Sequence, residues 1–148
     1  VYFKKYPLFI LFFALTFYAC NPARKLPEGQ YLLTKNVIVA DTGLIEKDRL
    51  ASLIKQKPNR KILGVFRFHL GVYNLGNHGK PTKFKNWLKS IGEEPTILDT
   101  ALVEKSRNQI NLLVHKQGFF NSTVTDTVLY KHKTAKVNYA INYGRPYL

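Results

Sequence analysis

Methionine is absent from the 148 residues, and cysteine occurs once, at position 20. A lone cysteine excludes an intramolecular disulfide and any metal centre built from several thiolates. The four histidines (His69, His78, His115 and His132) are scattered, with no pair four residues apart, so no metal or other cofactor is expected. Acidic residues are scarce as well, nine against 23 Lys and Arg, for a net charge of +14. The scarcity is concentrated: positions 49–92 hold ten Lys or Arg and no Asp or Glu. Hydrolase signatures such as G-x-S-x-G and H-E-x-x-H are missing, and Glu93 and Glu94 are neighbours in a turn-like stretch rather than a spaced acid–base pair. An enzyme acting on a small-molecule substrate is therefore not expected.

What is present begins with an address. Lys4 and Lys5 precede an uncharged run at 8–19 (LFILFFALTFYA) that ends on Ala19-Cys20. A dozen residues suit the apolar region of a signal peptide and fall short of the ~20 that a spanning helix needs. The junction resembles the lipobox of bacterial lipoproteins. That resemblance implies a signal peptide over 1–19, a diacylated Cys20 and, over 20–30, a Pro/Gly-containing tether (NPARKLPEG). No acid follows Cys20 until Glu28, which favours the periplasmic side of the outer membrane. An exported chain meets no cellular nucleic acid, so its positive charge is directed at membranes or protein partners.

Residues 31–148 have the length of one domain. Residues 31–40 (YLLTKNVIVA) are rich in β-branched and aliphatic side chains and stop at Asp41-Thr42-Gly43, which predicts a strand and a turn. Leu50, Leu53 and Ile54 at spacings of three and four predict a short amphipathic helix over 46–56, ended by Pro58. From 58 to 90 glycines and prolines interrupt an apolar, basic stretch. A short strand or helical turn near 65–73 and a helical turn near 84–90 are expected there, within an otherwise irregular insert. Asp99 or Thr100 caps a helix running to Gln117, with Val103, Ile110, Leu113 and Val114 facing inward and Gly118 placed as its left-handed end. Two strands close the chain. Residues 135–143 alternate almost without a break, residues 123–130 less cleanly, and the short polar link between them predicts an antiparallel hairpin.

The order strand, helix, insert, helix, strand, strand resembles the β-α-α-β-β plan of the POTRA domain, the periplasmic module of the outer-membrane superfamily that includes BamA and TamA. The likeness is carried by Gly92-Glu93-Glu94-Pro95, by Gln109-Ile110-x-x-Leu113-x-x-x-x-Gly118-Phe119-Phe120, and by Val137-x-Tyr139-x-Ile141-x-x-Gly144-Arg145-Pro146-Tyr147. With Cys20 and Tyr31-Leu32-Leu33-Thr34-Lys35-Asn36 it is most similar to the lipidated TamA-like proteins. It implies an α+β fold with a small three-stranded mixed sheet and two helices on one face. The implied activity is binding during outer-membrane protein assembly or translocation, with client proteins or another envelope assembly subunit as partners. In that family an extended client adds to the edge of the second strand, here Thr123, Val124, Thr125, Thr127 and Val128. The family's C-terminal β-barrel has no counterpart in the sequence, so the chain reads as the front of a longer protein or a truncated copy.

A second candidate surface comes from the insert. Arg60, Lys61, Arg67, Lys83, Lys85 and Lys89 interleave with aromatic residues including Trp87. Behind a lipobox such a mixture suits anionic headgroups. It supports the alternative of a free-standing basic lipoprotein that binds anionic lipid or envelope polymer.

Overall fold

The computed structural model describes residue 23 and residues 26–61, 67–77 and 79–144. Cys20 with the apolar run before it, residues 62–66, His78 and residues 145–148 lie outside the described residues. The elements are β1 (Leu32–Ala40), α1 (Lys47–Ser52), α2 (Phe68–Gly76), α3 (Lys83–Ile91), α4 (Thr100–Lys116), β2 (Thr123–Lys131) and β3 (Thr134–Asn142). The fold is α+β, with a three-stranded mixed sheet in the order β1-β3-β2. This is consistent with the POTRA-like β-α-α-β-β plan, α1 and α4 being the two helices of that plan and α2–α3 an insertion between them.

The long crossover follows from strand direction. β1 runs parallel to β3, and parallel neighbours cannot be joined by a tight turn, so all four helices and β2 fall between them. β2 and β3 pair antiparallel through a two-residue turn, His132-Lys133, in which His132 takes φ +52°. Along β3 the side chains of Ala135, Val137, Tyr139 and Ile141 point into the core, and Tyr143 continues the alternation past the strand's end. Val137, Tyr139, Ile141 and Tyr143 share a cluster with Val103, Ile110 and Val114 of α4, Leu50 of α1, and Ile45 and Ile54 beside it.

Both ends of α4 are built as the sequence indicates. The Asp99 carboxylate accepts from the Ala101 (2.9 Å) and Leu102 (3.4 Å) amides. At the other end Gly118 takes φ +91°, its N–H donates to the His115 carbonyl (2.9 Å), and the Phe119 N–H donates to the Val114 carbonyl (3.3 Å). That is a complete Schellman motif, and it sets the Phe119 ring edge-on to Tyr143 at 5.2 Å. α1 is shorter than its apolar spacing predicts. It ends at Ser52, not at Gln56, because the Lys55 amide donates to the buried Ser106 Oγ (3.0 Å) of α4 instead of continuing the helix.

β1 contains an irregularity that periodicity does not reveal. Leu33 pairs with Ala135 and Lys35 with Lys136, so Thr34 is an extra residue, a β-bulge. Its hydroxyl donates to the Ala135 carbonyl (2.8 Å). The bulge changes the phase of the strand: Leu33 faces the main core, and after Thr34 it is Ile38 and Ala40 that pack against that core. Leu32 and Leu33 are both fully buried, and consecutive strand residues point to opposite sides. Leu32 therefore belongs to a second, smaller cluster with Ala23, Leu26 and Leu70 of α2. The segment read as a tether is thus fastened at Ala23 and Leu26, where the Lys133 ammonium also donates to the Leu26 carbonyl.

The insert is a helical hairpin rather than an irregular stretch. Two glycines set its close packing. A Cβ on Gly76 would lie 2.8 Å from the Lys85 carbonyl oxygen, and one on Gly92 would lie 2.6 Å from the Tyr73 nitrogen. Thr82 caps α3 by accepting from the Lys85 amide (3.3 Å). The helix-weakening glycines at 71 and 76 conceal α2 in the sequence, yet at Gly76 the missing side chain is what allows α3 to approach.

Candidate functional site: two sheet edges and a basic helical hairpin

The direction of the backbone groups along β2 follows from one hydrogen bond on the far side of the sheet. The Asp41 N–H donates to the Ile141 carbonyl (3.1 Å), so Ile141 and, by alternation, the other odd residues of β3 turn their polar groups toward β1. The even residues turn toward β2, where they pair with Thr123, Thr125, Thr127, Leu129 and Lys131. The remaining residues of β2, namely Val124, Asp126, Val128 and Tyr130, direct their amides and carbonyls away from the sheet. No strand pairs with that side among the described residues.

The five residues singled out in the sequence therefore divide. Thr123, Thr125 and Thr127 expose their side chains, but their backbone groups serve the ladder with β3. Val124 is buried and Val128 half-buried against the main core, and their backbone groups are the ones presented outward. Asp126 and Tyr130 complete that outward set and were missed. Counting parity from the two-residue turn would have found them. Both are held in place: Arg107 of α4 pairs with Asp126 (3.2 Å) and Glu104 (3.2 Å), and the Tyr130 ring packs on Tyr31 at 4.5 Å.

The other edge, along β1, is largely occupied. The Leu33 N–H donates to the Thr96 carbonyl and the Leu98 N–H to the Tyr31 carbonyl, both at 2.8 Å, so residues 96–98 act as a short false strand. The Arg67 guanidinium donates to the carbonyl of the bulged Thr34 (3.0 Å). The Asn36 side-chain amide donates to the Gln56 carbonyl (2.7 Å). Only beyond these does the edge open, into a groove of about 620 Å³ between β1 and α1 lined by Asn36, Ile38, Lys47, Ala51, Lys57 and Pro58.

The basic residues also separate by role. Arg67 is partly buried, and desolvation lowers its pKa below the usual arginine value. It acts as a clamp on β1. Arg60 is exposed while its backbone N–H donates to the Glu93 carboxylate (3.1 Å), and Lys61 is exposed beside it. Buried Asn59 fastens this stretch, donating to the Glu94 carbonyl (2.7 Å) and accepting from the Thr96 amide (2.9 Å). Lys83, Lys85 and Lys89 all lie on α3. Lys83 is exposed, and Lys85 and Lys89 are half-buried, the Lys85 ammonium donating to the Lys80 carbonyl (3.1 Å). Trp87 is on the same helix, more than half exposed, with its ring stacked on Phe84 at 5.7 Å.

Among the described residues no His, Cys, Asp and Glu side chains gather in threes as metal ligands, and no helix is long and apolar enough to cross a membrane. In comparisons with known proteins, no family model, no curated protein and no solved structure matches the chain.

Proposed function

We propose that the chain is a periplasmic, lipid-anchored binding module of an outer-membrane assembly or translocation protein, and that it engages extended client segments by β-strand addition at the outer edge of β2. The observation that carries this reading is the asymmetry of the sheet. One edge is filled from within by residues 96–98, Arg67 and Asn36, while the other presents the outward backbone groups of four residues, with which no strand pairs among the described residues. Main-chain hydrogen bonds need little side-chain specificity, which suits a module that handles many unfolded clients. Side chains supply the remainder. Leu129 and Tyr130 are about half exposed at the hairpin end of the strand and offer apolar contact to whatever pairs there.

Amide hydrogen exchange tests the reading residue by residue. In the free chain Thr125, Thr127 and Leu129 are expected to exchange slowly, and Asp126, Val128 and Tyr130 fast. An added peptide with alternating apolar and polar residues is expected to slow the second group and leave the first unchanged. A Val128→Pro variant, which removes one outward donor, should abolish the protection while retaining the fold. Protection of Asn36, Ile38 and Ala40 instead would assign client binding to the β1 groove and overturn the proposal.

A further inference from the structure

The α2–α3 hairpin carries a feature that strand addition does not use. Phe84, Trp87 and Ile91 are spaced three and four apart along α3 and lie on one stripe, yet they are 65%, 55% and 47% exposed. The inward side of the same helix is held by Leu88 alone among its large apolar residues. An apolar stripe on the outside of a helix normally marks a contact surface.

The charge around the stripe identifies what it meets. Lys83 borders it, Lys80 precedes it, and Lys85 and Lys89 lie beyond Leu88 on the other flank. A nine-residue helix is only about 14 Å long, so all four ammonium groups stand within roughly one or two Debye lengths of the stripe. The ion pairs among the described residues join Arg107 of α4 to Glu104 of the same helix and to Asp126 of β2, away from this hairpin. Three partly exposed side chains offer on the order of 300 Å². That is well below the ~800 Å² per partner of a stable protein interface. A stripe that presents a tryptophan, a phenylalanine and an isoleucine on a convex surface, with lysines able to reach around it, instead suits the headgroup region of a bilayer.

The second cluster joins this surface to the N-terminus. Ala23 and Leu26 pack with Leu70 of α2, and α2 packs on α3 through Gly76. Cys20 is three residues before Ala23 in the sequence, and three residues of chain span at most about 10 Å. We infer that the α2–α3 hairpin is a membrane foot: the Phe84–Trp87–Ile91 stripe rests on an anionic bilayer, on the leaflet that holds the acylated Cys20. The shared leaflet rests on the lipoprotein reading above; the foot itself does not.

Trp87 is the sole tryptophan in the sequence and reports its own surroundings. The full chain is mixed with phosphatidylglycerol or phosphatidylcholine vesicles whose acyl chains carry bromine. On the anionic vesicles Trp87 emission is expected to shift to the blue and be quenched. Lys80→Gln with Lys83→Gln should weaken that association about 25-fold, near fivefold per cation. Phe84→Ser with Ile91→Ser should reduce quenching with the circular dichroism unchanged. A chain that floats with the vesicles while Trp87 stays unquenched overturns the foot, as does equal quenching on neutral and anionic lipid. A blue shift that grows with protein concentration and needs no lipid assigns the stripe to a second copy. A response to polyglutamate but not to vesicles assigns it to an acidic protein. Mass spectrometry of Cys20 keeps the two readings apart. An unmodified thiol together with quenched Trp87 overturns the anchor and the shared leaflet, and leaves the foot standing.

Discussion

α4 and α3 are both amphipathic, and they use the property in opposite directions. α4 turns Val103, Ile110 and Val114 into the sheet and shows charge to solvent. α3 turns Leu88 inward and leaves Phe84, Trp87 and Ile91 outside. The spacing rules that identify a helical apolar face apply equally to both. What separates them is the presence of a complementary surface: the face of a three-stranded sheet waits for α4, whereas α3 has only the slender α2 on one side. Periodicity therefore establishes that a helix has a sticky side, and only tertiary context says what the side adheres to.

The comparison can be broken most forcefully at the centre of α4. Ile110→Ala empties a fully buried site between helix and sheet, and thermal or denaturant unfolding should register a loss of about 2–5 kcal/mol. A loss below about 1 kcal/mol would mean that α4 contributes no more to the core than α3 does. A smaller effect is expected at the end of α4. Gly118→Ala places a Cβ at φ +91° with open space around it, so the cost is purely conformational, about 1 kcal/mol in the same measurement. The smallest belongs to α3. Trp87→Ser should change stability by less than about 0.5 kcal/mol, since the ring is mostly in solvent, while raising solubility. A drop of 2 kcal/mol or more would show that the stripe is part of the core after all.

Much of the sheet and of α4 could be read from the residues. The alternation from Ala135 to Tyr143 is regular, Asp99 is a strong cap, and Gly118 followed by Phe119 is a specific helix ending. These features are local, and local chemistry is what a sequence displays. Features set by partners distant in the chain leave no such local mark. The early end of α1 requires Ser106, 51 residues away from the Lys55 amide it accepts from. The role of Arg67 requires the Thr34 carbonyl, 33 residues earlier, and without it the guanidinium looks like one more surface cation. At the candidate edge, the threonines drew notice because their side chains suit a solvated strand. The backbone groups on offer belong to their neighbours, a distinction set by strand parity and not by side-chain chemistry.

The bulge at Thr34 has a consequence for how such a chain could acquire its extra hairpin. A strand of unbroken phase would commit all its alternate residues to a single layer, and attaching a new unit to the opposite face would disturb the old packing. One additional residue near the start uncouples the two. Leu32 can bind the added piece while Leu33, Ile38 and Ala40 keep their places beneath the sheet. Excising that residue would slide the strand by one step and turn either its beginning or its remainder inside out. Thr34 is in this sense a splice, and what is joined there can be exchanged without rebuilding what lies below.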